Sequence, residues 1–98
     1  MLDLTPYQDQ IAQICRKHGV RKLDVFGSAT TDEFGPQSDV DVVADFESET
    51  SFFDRYFSLK ESLEALFQRP VDVIMEGAPR NPWFITAMQA SRRAVYAA

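Results

Sequence analysis

Val25-Phe26-Gly27-Ser28 and, after ten intervening residues, Asp39-Val40-Asp41 are the stretches that decide the fold. The first indicates a strand that runs into a Gly-Ser turn, and the second indicates a strand with carboxylates at alternate positions. Because side chains alternate between the two faces of a strand, Asp39 and Asp41 are predicted to project from one face and Val40 from the other. The sequence therefore predicts two acids on one small patch of surface.

Two carboxylates about 6 to 7 Å apart along a strand repel each other, raise each other's pKa and add nothing to a hydrophobic core. A divalent cation is the simplest reason for such a pair. Since the ligands are hard oxygens with no His or Cys beside them, we expect Mg²⁺, with Mn²⁺ as the alternative. Gly27 and Ser28 would supply the neighbouring phosphate site, because backbone amides at a glycine turn can approach an anion closely. The combination indicates nucleotidyl transfer.

A third acid lies in the apolar stretch Val71-Asp72-Val73-Ile74, which predicts another strand. A carboxylate buried alone in such a strand is costly, so Asp72 needs a cation or hydrogen-bond donors. The alternative is an aspartate on an edge strand that faces water.

Composition predicts one globular domain spanning residues 1–98, since 45% of the residues are hydrophobic and 26% are charged. The net charge of -5 and the absence of a basic stripe argue against binding to a nucleic-acid backbone and favour a basic protein partner. No apolar run is long enough to span a bilayer, and the first residues lack the pattern of a signal peptide. We therefore expect a cytoplasmic protein with no membrane contact.

Helices and strands alternate along the chain, which predicts a compact α/β domain. Thr5 and Pro6 form the expected start of the first helix, with Gln8 completing a capping box, and Gly19 ends it. The remaining predicted elements are strands at 22–26, 39–46 and 71–74, a loop at Ser48–Thr50, a helix from Ser51 to Phe67, a helix that begins at Asn81-Pro82 and a short strand at Val95-Tyr96.

Several reactive or exposed side chains fall outside the motif. His18 is predicted to complement the helix dipole rather than to catalyse, and Cys15 is predicted to be a buried thiol. The dense aromatic stripe of the second helix favours core packing, with a partner-binding face as the alternative. Arg80 is a candidate for phosphate or partner contact, and Trp83 is a candidate aromatic anchor.

The Gly27-Ser28, ten-residue, Asp39-x-Asp41 pattern resembles the signature of the DNA polymerase β-like nucleotidyltransferase superfamily. The small size, together with Arg80–Phe84 and Val95–Ala98, resembles the minimal nucleotidyltransferase (MNT) antitoxins of HEPN/MNT toxin-antitoxin systems. The resemblance implies a compact polymerase β-like fold with a small mixed sheet flanked by helices.

The resemblance also implies a reaction and its residues. Asp39, Asp41 and Asp72 would be catalytic residues and would hold Mg²⁺, while Gly27 and Ser28 would bind the triphosphate of ATP, with Ser28 counted among the catalytic groups. AMP would be transferred to a tyrosine of a cognate HEPN ribonuclease toxin, in a hetero-oligomer with that toxin, and would silence it. The alternatives are an antitoxin that acts by binding alone and, less favoured because the chain has no second lobe, a small-molecule nucleotidyltransferase.

One departure from the family pattern follows the Gly-Ser turn. Relatives often carry a basic residue shortly after it, whereas this chain continues as Ala29-Thr30-Thr31-Asp32-Glu33. Lys22, Arg69 and Arg80 are the candidates to compensate for that missing charge.

Overall fold

A computed structural model describes residues 1–48 and 51–98. Glu49 and Thr50, which belong to the predicted loop Ser48–Thr50, lie outside the described residues. The elements in chain order are a 3₁₀ turn at Thr5–Tyr7, helix α1 at Gln8–His18, strand β1 at Val20–Phe26, a 3₁₀ turn at Gly27–Thr30, strand β2 at Val40–Phe46, helix α2 at Phe52–Phe67, strand β3 at Val71–Met75, helix α3 at Pro82–Ser91 and strand β4 at Arg93–Ala97.

The four strands form one mixed sheet in the order β3-β2-β1-β4. Strand β1 is antiparallel to both β2 and β4, whereas β2 and β3 are parallel. The predicted small mixed sheet flanked by helices is therefore confirmed. The register pairs Phe26 with Asp41 and Asp41 with Asp72, so Asp41 lies between the end of β1 and the acidic residue of β3.

The two faces of the sheet bury different clusters. Alternate residues of β2, such as Val40 and Val42, pack with α1 and α2 residues including Ile11, Leu59 and Leu63 in the main core. The opposite face carries a smaller cluster that consists of Phe26 and Val43 packed against Met88 of α3, with Ile74 beside them. Helix α3 thus covers the middle of the face from which Asp41 and Asp72 project, and it leaves their end of the sheet open.

The helix ends agree only in part with the prediction. The expected capping box at Thr5 is wrong: the chain first forms a 3₁₀ turn, and the Thr5 N–H donates to Asp3 Oδ1 at 3.0 Å. Gly19 ends α1 in the left-handed region with φ 69°, as predicted. Asn81 caps α3, because its side-chain oxygen accepts from the backbone N–H groups of Trp83 and Phe84.

Side chains of α2 cover the outer edge of β3. The Tyr56 hydroxyl donates to the Val73 carbonyl at 3.2 Å, and the Lys60 ammonium donates to the Val71 carbonyl. Glu64 accepts from the Val71 N–H at 3.0 Å. Main-chain groups that an edge strand would otherwise leave unpaired are therefore bonded, and β3 is held in place beside β2.

Within residues 1–48 and 51–98, no helix is both long and apolar enough to cross a bilayer.

Candidate active site

Asp41 and Asp72 meet at the open end of the sheet. They lie directly opposite each other on the parallel strands β2 and β3, and both line the same cleft. Burial, and then the neighbouring charge of Asp72, raise the pKa of Asp41 to about 6. A carboxyl group whose pKa is raised by burial and by a neighbouring carboxylate lacks compensating positive charge, which is the state expected of a ligand for a cation.

Asp39, the third predicted ligand, lies outside the paired part of β2. Strand β2 begins at Val40, one residue later than predicted, so Asp39 precedes the paired part of the strand and is exposed. Its charge reaches Asp41 and adds to the rise in that pKa. In the described part of the chain, no three His, Cys, Asp or Glu side chains are grouped so as to hold a metal ion. The structure thus brings two of the three predicted ligands together, and the third stays a prediction.

The pair suits a hard divalent cation. Mg²⁺ is commonly bound by one or two carboxylates, with its remaining positions taken by phosphate oxygens and water. Two oxygen ligands that repel each other in the absence of a cation fit this pattern. The loop that leads into Asp39 is also anchored, because Arg69 donates to the carbonyls of Gly35 and Ser38 at 3.0 and 2.9 Å.

Gly27 lies against the acidic pair. Its φ is +70°, and a Cβ added there would lie 3.0 Å from Asp41 Oδ2, so a side chain at this position would be both strained and in contact with the carboxylate. Its N–H donates to Ser91 Oγ at 3.0 Å. The amide predicted to bind phosphate therefore already points at an oxygen acceptor contributed by the end of α3.

Ser28 is half-buried in the same turn. Its carbonyl accepts from the Thr31 N–H and the Thr31 hydroxyl, at 3.0 and 3.1 Å. The Ser28 hydroxyl itself makes no hydrogen bond to any residue that the structure describes, so it is available to a ligand. Its phosphate contact stays a prediction.

A cleft of about 280 Å³ opens over the two acids. Phe84 of α3 stands edge-on to Phe26, with 5.9 Å between ring centroids. The cleft continues along β3 into an apolar groove that reaches Arg80 and Asn81. The cleft residues are Phe26, Asp41, Tyr56, Asp72, Val73, Ile74 and Phe84. Aromatic and aliphatic walls around two carboxylates provide a place for a ring beside a charged group.

Sequence reasoning missed Asp24. This residue is 3% exposed on β1, and its Oδ2 accepts from Arg92 Nε at 2.7 Å. Arg92 also donates to Glu76 Oε2 at 2.8 Å, and it follows α3 directly. A signal was available, since an aspartate between Leu23 and Val25 in an apolar strand needs a hydrogen-bonded or charged partner once it is buried. The ion pair fixes the end of α3 beside Gly27.

The three cations expected to compensate for the missing basic residue are engaged elsewhere. Lys22 Nζ lies 3.8 Å from Asp24 Oδ2. Arg69 holds the carbonyls of Gly35 and Ser38, and its guanidinium carbon lies 4.4 Å from the centroid of the Phe34 ring. Arg80 Nη1 donates to the Gly77 carbonyl at 2.7 Å.

Other singled-out side chains lie away from the acids. His18 Nε2 lies 3.3 Å from Ser62 Oγ, and burial lowers the His18 pKa. Cys15 is fully buried, as predicted, and burial raises its pKa to about 12. Trp83 is 85% exposed. The apolar and aromatic side chains of α2 are divided between core and solvent. Leu59, Leu63 and Phe67 are buried, whereas Phe53 and Phe57 face solvent.

Residues 8–94 match the family model described as a nucleotidyltransferase domain. Among characterised sequences, the chain is similar to the protein adenylyltransferase MntA of Thermococcus cleftensis. The two are 36% identical over 78 residues, which cover 80% of this chain and 75% of that protein.

Two solved structures share the fold. One is a toxin-antitoxin structure with AMP-PNP, at TM-score 0.72 and 14% identity, covering 94% of this chain and 74% of that one. The other is a tri-AMPylated HEPN toxin of Shewanella oneidensis in complex with an MNT antitoxin, at TM-score 0.63 and 12% identity, covering 93% and 70%. At these identities the similarity concerns the arrangement of strands and helices.

Proposed function

The chain belongs to the nucleotidyltransferase domain family, and from this we propose that it transfers AMP from ATP to a tyrosine of a cognate HEPN ribonuclease toxin and so acts as the antitoxin. The observation that carries the proposal is the register that sets Asp41 opposite Asp72 in one cleft, with Gly27 against Asp41. The activity named for the Thermococcus relative and the HEPN complex of the Shewanella structure support the choice of reaction and partner.

The acidic residues would bind the metal and steer the acceptor. Asp41 and Asp72, with Asp39, would hold Mg²⁺, which when bound neutralises phosphate charge during transfer. Asp72 is exposed at the cleft, where it would take the proton of the attacking hydroxyl. The acceptor oxygen bonds to the α-phosphorus, the bond from that phosphorus to the bridging oxygen breaks, and pyrophosphate leaves.

The Gly-Ser turn would hold the outer phosphates. The Ser28 hydroxyl is the donor available to them, and Gly27 lets the backbone pass close to the acids without a side chain in the way. The apolar cleft beyond the acids suits an aromatic acceptor, since a ring packed near Phe26 and Phe84 would present its hydroxyl toward Asp72.

Co-expression with the cognate toxin tests the proposal. We expect intact-mass measurement to show the toxin heavier by one or more AMP units with the wild-type chain, and unmodified with the double variant Asp41→Asn, Asp72→Asn. The double variant Asp9→Asn, Asp54→Asn removes the same charge from exposed helix positions and serves as the matched control. An unchanged AMP adduct with the site variant would rule out this site.

A second function is favoured by the exposed aromatic residues of α2 and α3. Phe53 and Phe57 lie one turn apart on α2, and Trp83 is near the start of α3. Exposed rings of this kind suit protein contact. If the chain neutralises its partner by binding alone, the Asp41→Asn, Asp72→Asn variant will still copurify with the toxin and still protect cells.

A further inference from the structure

A second cleft, of about 410 Å³, lies between the Gly27–Thr30 turn and the end of α3. Its wall includes Ser91, the residue whose Oγ accepts from the Gly27 N–H. The Ser91 oxygen shows where an acceptor of this amide sits, and a phosphate oxygen is an acceptor of the same kind. The lining residues are Thr30, Thr31, Ala90, Ser91, Arg92 and Arg93.

The two arginines of this cleft differ in what they bind. Arg92 is 13% exposed and is engaged with Asp24 and Glu76. Arg93 is exposed and forms neither an ion pair nor a hydrogen bond with any residue in the ranges 1–48 and 51–98. Arg93 is therefore the cation of this cleft that is available to an anion.

The sheet places Arg93 at the same end as the acids. Register pairs Asp72 with Asp41, Asp41 with Phe26, and the adjacent Val25 with Arg93, the first residue of β4. Since neighbouring strands are about 4.8 Å apart, the Arg93 backbone is about 10 Å from that of Asp41. Val25 faces the main core, so the Arg93 side chain starts on the sheet face opposite to that of Asp41. Arg93 nevertheless lines the cleft beside Thr30 and Ser91, at the rim that a polyphosphate would reach if it crossed the Gly27–Thr30 turn from the acids.

We propose that Arg93 binds the outer phosphates of the nucleotide and supplies the positive charge that the chain lacks after Gly27-Ser28. The inference rests on the proposed nucleotidyl transfer, and it assigns the charge to the start of β4 instead of to the turn. Arg92 positions this cleft by holding the end of α3, whereas Arg93 contacts the ligand.

Calorimetric titration in magnesium buffer tests the assignment with ATP, pyrophosphate and AMP as probes. Arg93→Gln should weaken ATP and pyrophosphate binding about tenfold, as expected for the loss of one charge-assisted hydrogen bond, and leave AMP binding unchanged. Arg16→Gln removes the same charge from an exposed position of α1 and should bind all three probes like the wild type. Equal pyrophosphate affinity in Arg93→Gln and the wild type would overturn the assignment.

Chemical protection gives a readout that needs no variant. Modification of the wild-type chain with phenylglyoxal, followed by mass spectrometry of peptides, should show Arg93 protected by pyrophosphate and Arg16 unprotected. Modification of Arg93 at the same rate with and without pyrophosphate contradicts the proposal. A wild-type chain that binds neither ATP nor pyrophosphate defeats the proposed function as well, whereas intact ATP binding with an indifferent Arg93 defeats this inference alone.

Discussion

Asp24 and Asp41 are both aspartates in apolar strands of one sheet, and the fold treats them in opposite ways. Asp24 is buried and is met by the Arg92 guanidinium at 2.7 Å. Asp41 is half-buried and is met by another carboxylate, so its pKa rises to about 6. A carboxylate that stabilises the fold receives its cation from the chain, whereas a carboxylate that binds a ligand leaves that place for the ligand.

The largest expected effect separates the two aspartates by activity. If the chain acts as proposed, Asp41→Asn should lower AMP transfer about a thousandfold, because the proposed Mg²⁺ site would lose its most enclosed ligand while the fold loses only a repulsive interaction. Steady-state transfer to the purified toxin measures the rate, and thermal unfolding should show a melting temperature no lower than that of the wild type. A variant that retains most of its activity would place Asp41 with Asp24 as a structural residue.

The next largest effect is on stability and concerns the ion pair between Asp24 and Arg92. Arg92→Ala should lower the free energy of unfolding by about 3 kcal/mol, because it leaves the buried Asp24 carboxylate without its partner. Arg93→Ala, next along the chain, should change that free energy by less than about 0.5 kcal/mol. Urea unfolding followed by circular dichroism measures both. Equal effects from the two arginines would show that Asp24 does not depend on Arg92.

Gly27 lies between the two regions, since a Cβ added to it would meet Asp41 Oδ2 and its N–H donates to Ser91 Oγ. Gly27→Ala should destabilise the fold by about 1 to 2 kcal/mol, because φ is positive and the new methyl group would meet Asp41 Oδ2 at 3.0 Å. Gly35→Ala, where an added Cβ meets no atom within 4 Å, is the matched control for urea unfolding. Equal free energies of unfolding for the two variants would contradict the strained, close approach of Gly27 to Asp41.

The smallest effect is a dependence on pH. Because the folded pKa of Asp41, about 6, lies above its ordinary value of 3.8, the folded state holds the proton more tightly. Stability should then fall as pH rises from 4 to 6, by about 1 kcal/mol once solvent screening of this half-exposed group is allowed for. Asp41→Asn should lack this part of the pH profile in urea unfolding, and Mg²⁺ at pH 7 should stabilise the wild type but not the variant.

The contact between Asp41 and Asp72 was foreseeable, whereas the pairing of Asp24 was not. An apolar stretch with an aspartate at its second position predicts a strand from local pattern alone, and parallel pairing then sets Asp41 opposite Asp72. Asp24 and Arg92 are 68 positions apart, and no local pattern relates them. The start of β2 was misplaced by one residue for a related reason: Asp39 has no partner on β3, and pairing is decided by the neighbouring strand.

The positions of the basic residues around the site were likewise predictable only in part. Sequence spacing identified the Gly27-Ser28 turn and the lack of a basic residue after it, but Lys22, Arg69 and Arg80 each bind other groups. Arg93 reaches the turn only because β4 pairs with β1, a contact between the two ends of the chain. Local motifs therefore predict which charges a site needs, and topology decides which residues supply them.

The covered edge of β3 limits how an acceptor can approach Asp72. Because Lys60 and Tyr56 donate to the Val71 and Val73 carbonyls and Glu64 accepts from the Val71 N–H, a peptide that joined β3 as a fifth strand would have to displace these side chains. If the chain modifies a partner protein as proposed, we expect the modified residue to arrive side chain first, from a loop, tail or helix of that partner. Selection among acceptors would follow from how far that side chain protrudes rather than from the sequence of an extended segment.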